Sequence, residues 1–342
     1  MHEALFYTKL YENKVKCQLC PTLCELDDGD VGNCGTRKNH GGMLVSEVYG
    51  QLAAINLDPI EKKPLYHFYP GEKILSIGTV GCNFHCDFCQ NYSLSQSMVT
   101  NGGSFHPYSP DSLIDMALST NHNLGLAFTY NESTVFYEFM LDAAIRAHEK
   151  GLVNVMVSNG YILPHPLEKL LPHIDAFNID LKAFNENFYR QYCQGMLKPV
   201  LKTLRMIARA GNHLELTNLV IPGLNDQEAE FTDMCRWIAN ELGRTTVLHL
   251  SRYFPAYKMK LPPTPSETMF RLYDLAKEQL SHVYLGNMTA GDHDDTFCPH
   301  CGHRLIERDA YHVRITGMDG QGRCANCQTQ VIKYFSHAAS HS

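Results

Sequence analysis

Residues 74–91 read ILSIGTVGCNFHCDFCQN, an apolar run followed directly by three closely spaced cysteines. A short apolar run that ends in glycine-rich sequence predicts a buried β-strand. Cys82, Cys86 and Cys89 follow it in a C-x3-C-x2-C spacing. A closed iron–sulfur cluster uses four thiolates, so three cysteines without a local fourth leave one iron of a [4Fe–4S] cubane open. The alternatives are a zinc site, which needs a fourth ligand, and unliganded thiols.

An open iron would give this cysteine group a specific chemistry. It can bind S-adenosylmethionine (SAM) through the amino and carboxylate groups, and one electron from the reduced cluster then breaks the sulfonium C–S bond. The products are methionine and a 5′-deoxyadenosyl radical, which we expect to abstract hydrogen from a substrate. A non-catalytic multi-zinc scaffold that binds partners is the rival interpretation, because the chain has three separate cysteine groups.

The rest of the chain alternates strand-like and helix-like stretches, which predicts an α/β fold with a parallel sheet. The length fits a partial (β/α)6-type barrel, whose chemistry lies at the carboxyl ends of the strands. The predicted strands are Ile74–Val80, Leu124–Tyr130, Val153–Ser158, Ala176–Leu181, Leu214–Ile221, Thr246–Leu250 and His282–Leu285. The predicted helices are 110–119, 133–149, 165–171, 186–210, 226–241 and 266–280.

Composition and cysteine distribution set the domain plan of the 342 residues. We predict an N-terminal Cys-rich extension over 1–71, a partial barrel over 72–292 and a C-terminal zinc-ribbon-like extension over 293–342. A net charge of −7 argues against an extended grip on nucleic-acid phosphates. We find neither a secretory signal nor an apolar run that could span a membrane, and therefore expect a cytoplasmic protein.

Two further cysteine groups indicate metal ligation, since eleven of the thirteen cysteines are grouped. The C-terminal group, two C-x2-C pairs, is typical of a structural zinc site, with a rubredoxin-like iron site as the second choice; it comprises Cys298, Cys301, Cys324 and Cys327. The N-terminal group favours zinc, with an auxiliary iron–sulfur cluster as the second choice; it comprises Cys17, Cys20, Cys24 and Cys34.

The chain resembles the radical SAM proteins of the AmmeMemoRadiSam system, relatives of the enzymes that activate pyruvate formate-lyase. The resemblance is carried by residues 76–91 and by further runs at 17–24, 129–138, 158–160, 177–182, 217–226 and 250–255. It implies Memo-like and AMMECR-type protein partners and a reducing donor such as flavodoxin or ferredoxin. It leaves two reactions open, modification of a small molecule or nucleobase and activation of a glycyl-radical enzyme. The absence of a Gly-Gly-Glu-Pro run like that of the activating enzymes favours the first.

The resemblance also suggests which residues hold SAM. The activating enzymes carry a Gly-Gly-Glu-Pro run that binds the SAM amino group, and Asn131 and Glu132 occupy its place here. Their oxygens can accept hydrogen bonds from an ammonium, although either residue could simply cap the following helix. Ser158 and Asn159 end the next strand and are candidates for ribose hydroxyls or the methionine carboxylate. A turn before Gly160 is the alternative.

Charged residues complete the predicted site. Asp180 and Lys182 are two residues apart at a strand end, which places both on one face; they are the candidate catalytic residues, with a structural ion pair as the alternative. Thr217 stands near the position where the activating enzymes carry an arginine for the SAM carboxylate. We expect Arg252 to replace that arginine, with a surface salt bridge as the alternative. Cys193 is predicted to be a buried thiol, with a position facing the site as the alternative.

Overall fold

The computed structural model describes residues 1–98 and 105–335. The N-terminal part forms small antiparallel sheets, with strand orders β1-β6-β5 and β2-β3-β4. Their strands, together with β7, are β1 His2–Glu3, β2 Tyr7–Lys9, β3 Val15–Cys17, β4 Glu25–Leu26, β5 Arg37–His40, β6 Met43–Ser46 and β7 Gln51–Leu52.

An eight-stranded sheet forms the centre of the fold. The next strands are β8 Ala54–Pro59, β9 Lys73–Gly78, β10 His106–Pro107, β11 Asn123–Phe128, β12 Val153–Ser158, β13 Ala176–Asp180, β14 His213–Val220, β15 Val247–Arg252 and β16 Val283–Gly286. The order is β16-β15-β14-β13-β12-β11-β9-β8, while β10 pairs with β7. The strands β9 and β11 to β16 run parallel, and β8 is antiparallel to β9. Among the described strands, β8 and β16 do not pair with each other, which confirms the partial barrel.

Helices connect the parallel strands and cover the sheet. They are α1 Tyr92–Ser95, α2 Pro110–Ser119, α3 Tyr137–Glu149, α4 Pro164–Leu170, α5 Glu186–Phe188, α6 Leu197–Ala210, α7 Glu228–Glu241 and α8 Ser266–Gln279, with 3-10 turns at Ile60–Lys62, Ser133–Phe136 and Leu171–His173. The helix α2 begins as its sequence predicts, since Ser109 accepts a hydrogen bond from the Ser112 amide and Pro110 is the first helical residue. Within the described residues no helix combines the length and apolar character needed to cross a bilayer.

The predicted single helix over 186–210 is wrong, because the chain breaks between α5 and α6. A π-helical turn, Tyr189–Cys193, ends at Gln194 in the left-handed region (φ 57°). At Gly195 a Cβ atom would lie 2.1 Å from the ring of Phe84, so only glycine fits there. The turn also accepts backbone hydrogen bonds from the cysteine loop, as from the His85 amide to the Cys193 carbonyl (3.0 Å). The break therefore seats the loop that carries the three cysteines.

The C-terminal part is a three-stranded antiparallel sheet in the order β17-β18-β19. Its strands are β17 Thr296–Phe297, β18 Arg304–Asp309 and β19 His312–Ile315. Arg308 fixes this sheet to the segment before β9, since it donates to the Tyr66 carbonyl (3.0 Å) and its guanidinium lies over the Tyr66 ring at 4.2 Å. The same guanidinium lies 5.6 Å from the centre of the Tyr284 ring of β16. The extension thereby reaches the rim of the barrel.

Candidate active site

A cavity of about 610 Å³ opens at the carboxyl ends of the parallel strands, where a barrel of this kind places its chemistry. It extends from the cysteine loop after β9 to Tyr311, in the turn between β18 and β19. The predicted site residues that line it are Cys82, Cys86, Cys89, Asn131, Glu132, Ser158, Asn159, Asp180 and Lys182. The strand topology thus brings residues from four separate loops to one cavity.

The three central cysteines present their sulfurs to this cavity in an environment suited to a cluster. Backbone and side-chain donors point at them: the Phe84 amide lies 3.4 Å from the Cys82 Sγ, and the Ser95 hydroxyl lies 3.1 Å from the Cys89 Sγ. Among the described residues these three sulfurs do not form the compact group that a single metal ion needs. Three spaced thiols at one open cavity fit a [4Fe–4S] cluster with a free iron.

A fourth thiol, Cys193, lies beside Cys86. It is fully buried at the end of the π-helical turn. Its hydrogen bond to Cys86 lowers the pKa of the Cys86 thiol, although burial opposes the effect. A contact with Cys86 itself was not predicted, because Cys193 lies in a stretch with the pattern of an uninterrupted helix. A neutral thiol there would donate to the Cys86 thiolate.

Asn131 holds the cysteine loop in place rather than offering a free amide. Its Oδ1 accepts a hydrogen bond from the Thr79 amide (3.0 Å), and its Nδ2 donates to the Val80 and Gly81 carbonyls (3.1 and 3.0 Å). Close approach here requires Gly78, where a Cβ atom would lie 2.4 Å from the Thr129 carbonyl. The side chain predicted to bind SAM therefore bonds the backbone that leads into Cys82.

Glu132 is buried and links two strand ends. Its Oε1 accepts from the Ser158 hydroxyl (2.7 Å) and the Thr134 amide (2.9 Å), and its Oε2 accepts from the Asn159 amide (2.8 Å). Burial raises the pKa of this carboxyl, and these hydrogen bonds oppose the rise. The contact with Thr134 is the helix-capping alternative that the sequence left open. Since Glu132 also lines the cavity, the two roles are compatible.

Asn159 connects this group to the cysteine loop. Its Nδ2 donates to Asn83 Oδ1 at 2.8 Å and lies 3.7 Å from the Cys82 Sγ, while its Oδ1 accepts from the Tyr161 amide at 2.8 Å. Ser158 accepts from the Gly160 amide at 3.0 Å. The expected turn before Gly160 is thus present together with the cavity position.

Asp180 and Lys182 form an ion pair of 2.9 Å at the end of β13. Burial lowers the pKa of Lys182, but Asp180 and the thiols of Cys86 and Cys193 raise it more, so the ammonium stays charged. The Lys182 Nζ also lies 5.8 Å from the centre of the Phe88 ring. A fixed cation between the cysteine loop and the open cavity can orient an anionic group of a ligand.

Of the predicted SAM-binding and catalytic residues, Arg252 is the one that does not line the cavity. Its Nε donates to the Thr264 carbonyl at 2.7 Å, and its guanidinium lies over the Phe254 ring at 5.1 Å. Side chains alternate along a strand, and His249 and Ser251 of β15 are the polar side chains that reach the cavity.

A buried carboxylate below the cavity was not found from the sequence. Glu215 of β14 accepts hydrogen bonds from His249 Nε2 (2.6 Å), His213 Nε2 (2.8 Å) and the Tyr66 and His67 amides (2.9 and 2.7 Å). Burial raises its pKa, but the two histidines lower it further, to well below its ordinary value. Glu215 therefore fixes His249 and ties the segment before β9 to the barrel.

The outer cysteine groups differ in geometry. In the C-terminal group the four Sγ atoms all lie within 4.8 Å of one another, with Cys298–Cys327 at 3.5 Å and Cys301–Cys324 at 3.7 Å. This arrangement can bind a metal ion. The N-terminal group instead surrounds a second, smaller cavity, which all four of its cysteines line; these are Cys17, Cys20, Cys24 and Cys34.

Comparisons with known proteins agree with this site. Residues 76–235 match the Radical SAM superfamily. An uncharacterised protein of Methanocaldococcus jannaschii is 41% identical over 334 residues, which cover 97% of this chain and 99% of that protein. A putative glycyl-radical enzyme activating enzyme of the same organism is 25% identical over 203 residues, covering 57% of this chain and 70% of the relative.

A solved structure agrees at the level of fold. A radical SAM methyltransferase from Sphaerobacter thermophilus superposes with a TM-score of 0.51 at 13% identity, covering 64% of this chain and 67% of that one. With the cysteine loop, the partial barrel and the superfamily match on the same segment, residues 76–235 form a domain of the Radical SAM superfamily, and the chain is an enzyme.

Proposed function

We propose that the protein cleaves SAM reductively and uses the resulting radical to abstract hydrogen from a small molecule or nucleobase bound in the same cavity. The observation that carries this proposal is the cavity of about 610 Å³, which begins at the three cysteines and continues past them to Tyr311. This volume lies within the range of roughly 300–1,000 Å³ that small-molecule sites occupy. It leaves space beyond SAM for a second ligand of limited size.

The inner end of the cavity suits SAM. Cys82, Cys86 and Cys89 hold the cluster, which supplies the electron for cleavage when bound. Glu132, fixed by its three hydrogen bonds, offers carboxylate oxygen to the SAM ammonium, and Lys182 offers a cation to the carboxylate. Both groups are held before the ligand arrives, which reduces the entropy lost on binding.

The outer end suits a polar, planar substrate. Tyr66 and Tyr311 provide aromatic surface, and His249, Ser251 and Asn287 provide hydrogen-bonding groups. The Asn287 Nδ2 donates to the Ser251 hydroxyl at 2.8 Å, so that hydroxyl is free to donate its own proton to a ligand. Tyr311 comes from the C-terminal extension, so the extension narrows the mouth of the cavity on the side away from the cysteines.

Glycyl-radical enzyme activation is the second candidate, and the 25% identical putative activating enzyme favours it. That reaction needs a protein loop to enter the cavity, and the rim at Tyr311 would have to admit it. The sequence resemblance extends the main proposal to the AmmeMemoRadiSam system, with Memo-like and AMMECR-type proteins as partners and flavodoxin or ferredoxin as the electron donor.

The test is anaerobic reconstitution and reduction, followed by addition of SAM and quantification of 5′-deoxyadenosine. We expect product from the wild type and none from a Cys82/Cys86/Cys89→Ala variant. Cys235→Ala is the matched control, because Cys235 is buried in α7 away from the cavity. Deuterium transfer from a small-molecule fraction into 5′-deoxyadenosine would support the substrate class. A glycyl radical formed on a partner protein, with no such transfer, would contradict it.

A further inference from the structure

The cysteines of the N-terminal group line a cavity of their own, unlike the closely spaced sulfurs of the C-terminal group. We propose that Cys17, Cys20, Cys24 and Cys34 bind a second [4Fe–4S] cluster, packed against the loop of the SAM-binding one. The four sulfur side chains line a single cavity within the N-terminal extension, and none of them forms a disulfide. This inference does not rest on the proposed reaction or substrate.

The spacing of the sulfurs separates a cluster from a single ion. Tetrahedral zinc holds its sulfurs about 2.3 Å from the metal and hence roughly 3.8 Å apart, which fits the 3.5 and 3.7 Å contacts of the C-terminal group. The C-terminal sulfurs all lie within 4.8 Å of one another, whereas the N-terminal sulfurs do not form such a compact group among the described residues. A cubane places each thiolate on its own iron, so the four sulfurs around it lie farther apart than those around a single ion.

Gly32 keeps the space between the N-terminal sulfurs open. A Cβ atom at this position would lie 3.9 Å from the Cys24 Sγ and 3.8 Å from the Cys34 Sγ. It would thus project between two of the ligands, into the space that a cluster would fill. Its contact with the Arg37 carbonyl would be an ordinary 3.5 Å, so the protein alone could accommodate alanine there.

A buried cation lines the same cavity. The Arg37 Nη1 lies 3.5 Å from the Cys17 Sγ, and the side chain is only 1% exposed. Its Nε has no hydrogen-bond partner among the described residues. Glu138 pairs with one end of this guanidinium. Four thiolates around an oxidised cubane carry two net negative charges, and a buried Arg37 with a spare donor can stabilise such a group.

The site adjoins the central cysteine loop. A Cβ atom at Gly81 would lie 2.5 Å from the Cys34 carbonyl, so the two segments are in backbone contact. The His85 Nε2 lies 3.1 Å from the Asn33 carbonyl, and Asn83 forms part of the wall of the second cavity. A cluster with four protein ligands has no open iron for SAM. Its role would be electron transfer: a low-potential one-electron donor of the flavodoxin or ferredoxin class reduces it, and it passes the same electron to the central cluster.

The test measures acid-labile sulfide, which clusters contain and zinc or rubredoxin-like iron sites lack. After anaerobic reconstitution we expect about eight sulfides per chain in the wild type and about four in a Cys82/Cys86/Cys89→Ala variant, because one cubane carries four. The variant lacking the central cluster keeps the N-terminal site intact, so it tests the proposal even if a Cys17/Cys20/Cys24→Ala variant fails to fold.

Spectroscopy adds a readout that distinguishes the two clusters. The reduced central-site variant should show an EPR signal that SAM does not change, since its remaining cluster has no open iron. Gly32→Val should abolish that signal by filling the space between the sulfurs, whereas Gly286→Ala, whose added Cβ atom would meet only the Leu250 carbonyl at 4.0 Å, should retain it. A central-site variant with no sulfide and two zinc ions per chain would overturn the proposal. Loss of 5′-deoxyadenosine formation alone would not affect it.

Discussion

Replacing Asn131 with alanine distinguishes a residue that positions the cysteine loop from one that binds SAM directly. The substitution removes one acceptor and two donor contacts to buried backbone between Thr79 and Gly81. The Thr79 amide would lose its partner at a buried site, which costs about 1–3 kcal/mol, while the two carbonyls can turn to cavity water. We therefore expect a loss of about 2 kcal/mol in the free energy of unfolding.

For a chain of 342 residues, an unfolding entropy of about 2.1 cal/mol/K per residue converts this loss into a fall of about 3 °C in Tm. Calorimetry on the anaerobic apoprotein would measure it, because no cluster or SAM contributes there. Asn56→Ala is the matched control, since Asn56 is exposed and donates only to the Tyr130 hydroxyl. An unchanged Tm in Asn131→Ala together with weakened SAM binding would refute the positioning role.

Three further substitutions test other parts of the site. Glu215→Gln should destabilise the protein by about 3 kcal/mol near pH 7, because a charged acceptor shared by two histidines is lost. Since the pKa of Glu215 is depressed in the folded state, the difference in unfolding free energy between wild type and variant should narrow as pH falls below the ordinary pKa of glutamate. Urea unfolding would measure this difference, and a value that stays constant with pH would contradict the reasoning. Cys193→Ala removes a hydrogen bond to the Cys86 sulfur and should therefore make the reduction potential of the central cluster more negative. A hydrogen bond worth roughly 1 kcal/mol corresponds to about 40 mV for one electron, which an EPR-monitored redox titration would detect. Arg252→Ala should leave SAM binding within about twofold of wild type and lower stability by about 1 kcal/mol through its lost bond to Thr264, so a large loss of SAM affinity would restore the sequence-based role.

Periodicity was sufficient to predict the main sheet, because buried parallel strands are near-continuous apolar runs. The strand β12, for example, has the predicted bounds Val153–Ser158. The break between α5 and α6 was not predictable in the same way. It depends on the Phe84 ring against Gly195 and on backbone pairing with the cysteine loop, and both contacts join residues more than a hundred positions apart.

The candidate site likewise contains residues that could be placed from the sequence and residues that could not. Residues at strand ends, such as Glu132 and Lys182, could be placed from sequence because parallel topology fixes where strand ends meet. The direction of a side chain needs exact strand register, which is why Arg252 was assigned to the cavity and Ser251 was not. The hydrogen bonds of Asn131 and the histidine contacts of Glu215 depend on tertiary packing that no local pattern records.

The antiparallel strand β8 has a practical consequence for truncated forms of the enzyme. It runs alongside β9 from the pair Ala54↔Gly78 to the pair Pro59↔Lys73. A fragment beginning at residue 72 would therefore leave β9 as an exposed edge strand with unpaired backbone groups, directly before the oxygen-sensitive cysteine loop. Such edges promote strand addition between molecules. The segment that contains β8 thus keeps β9, which leads into the cysteine loop, in the interior of the sheet, and expression of the isolated barrel would need an engineered edge.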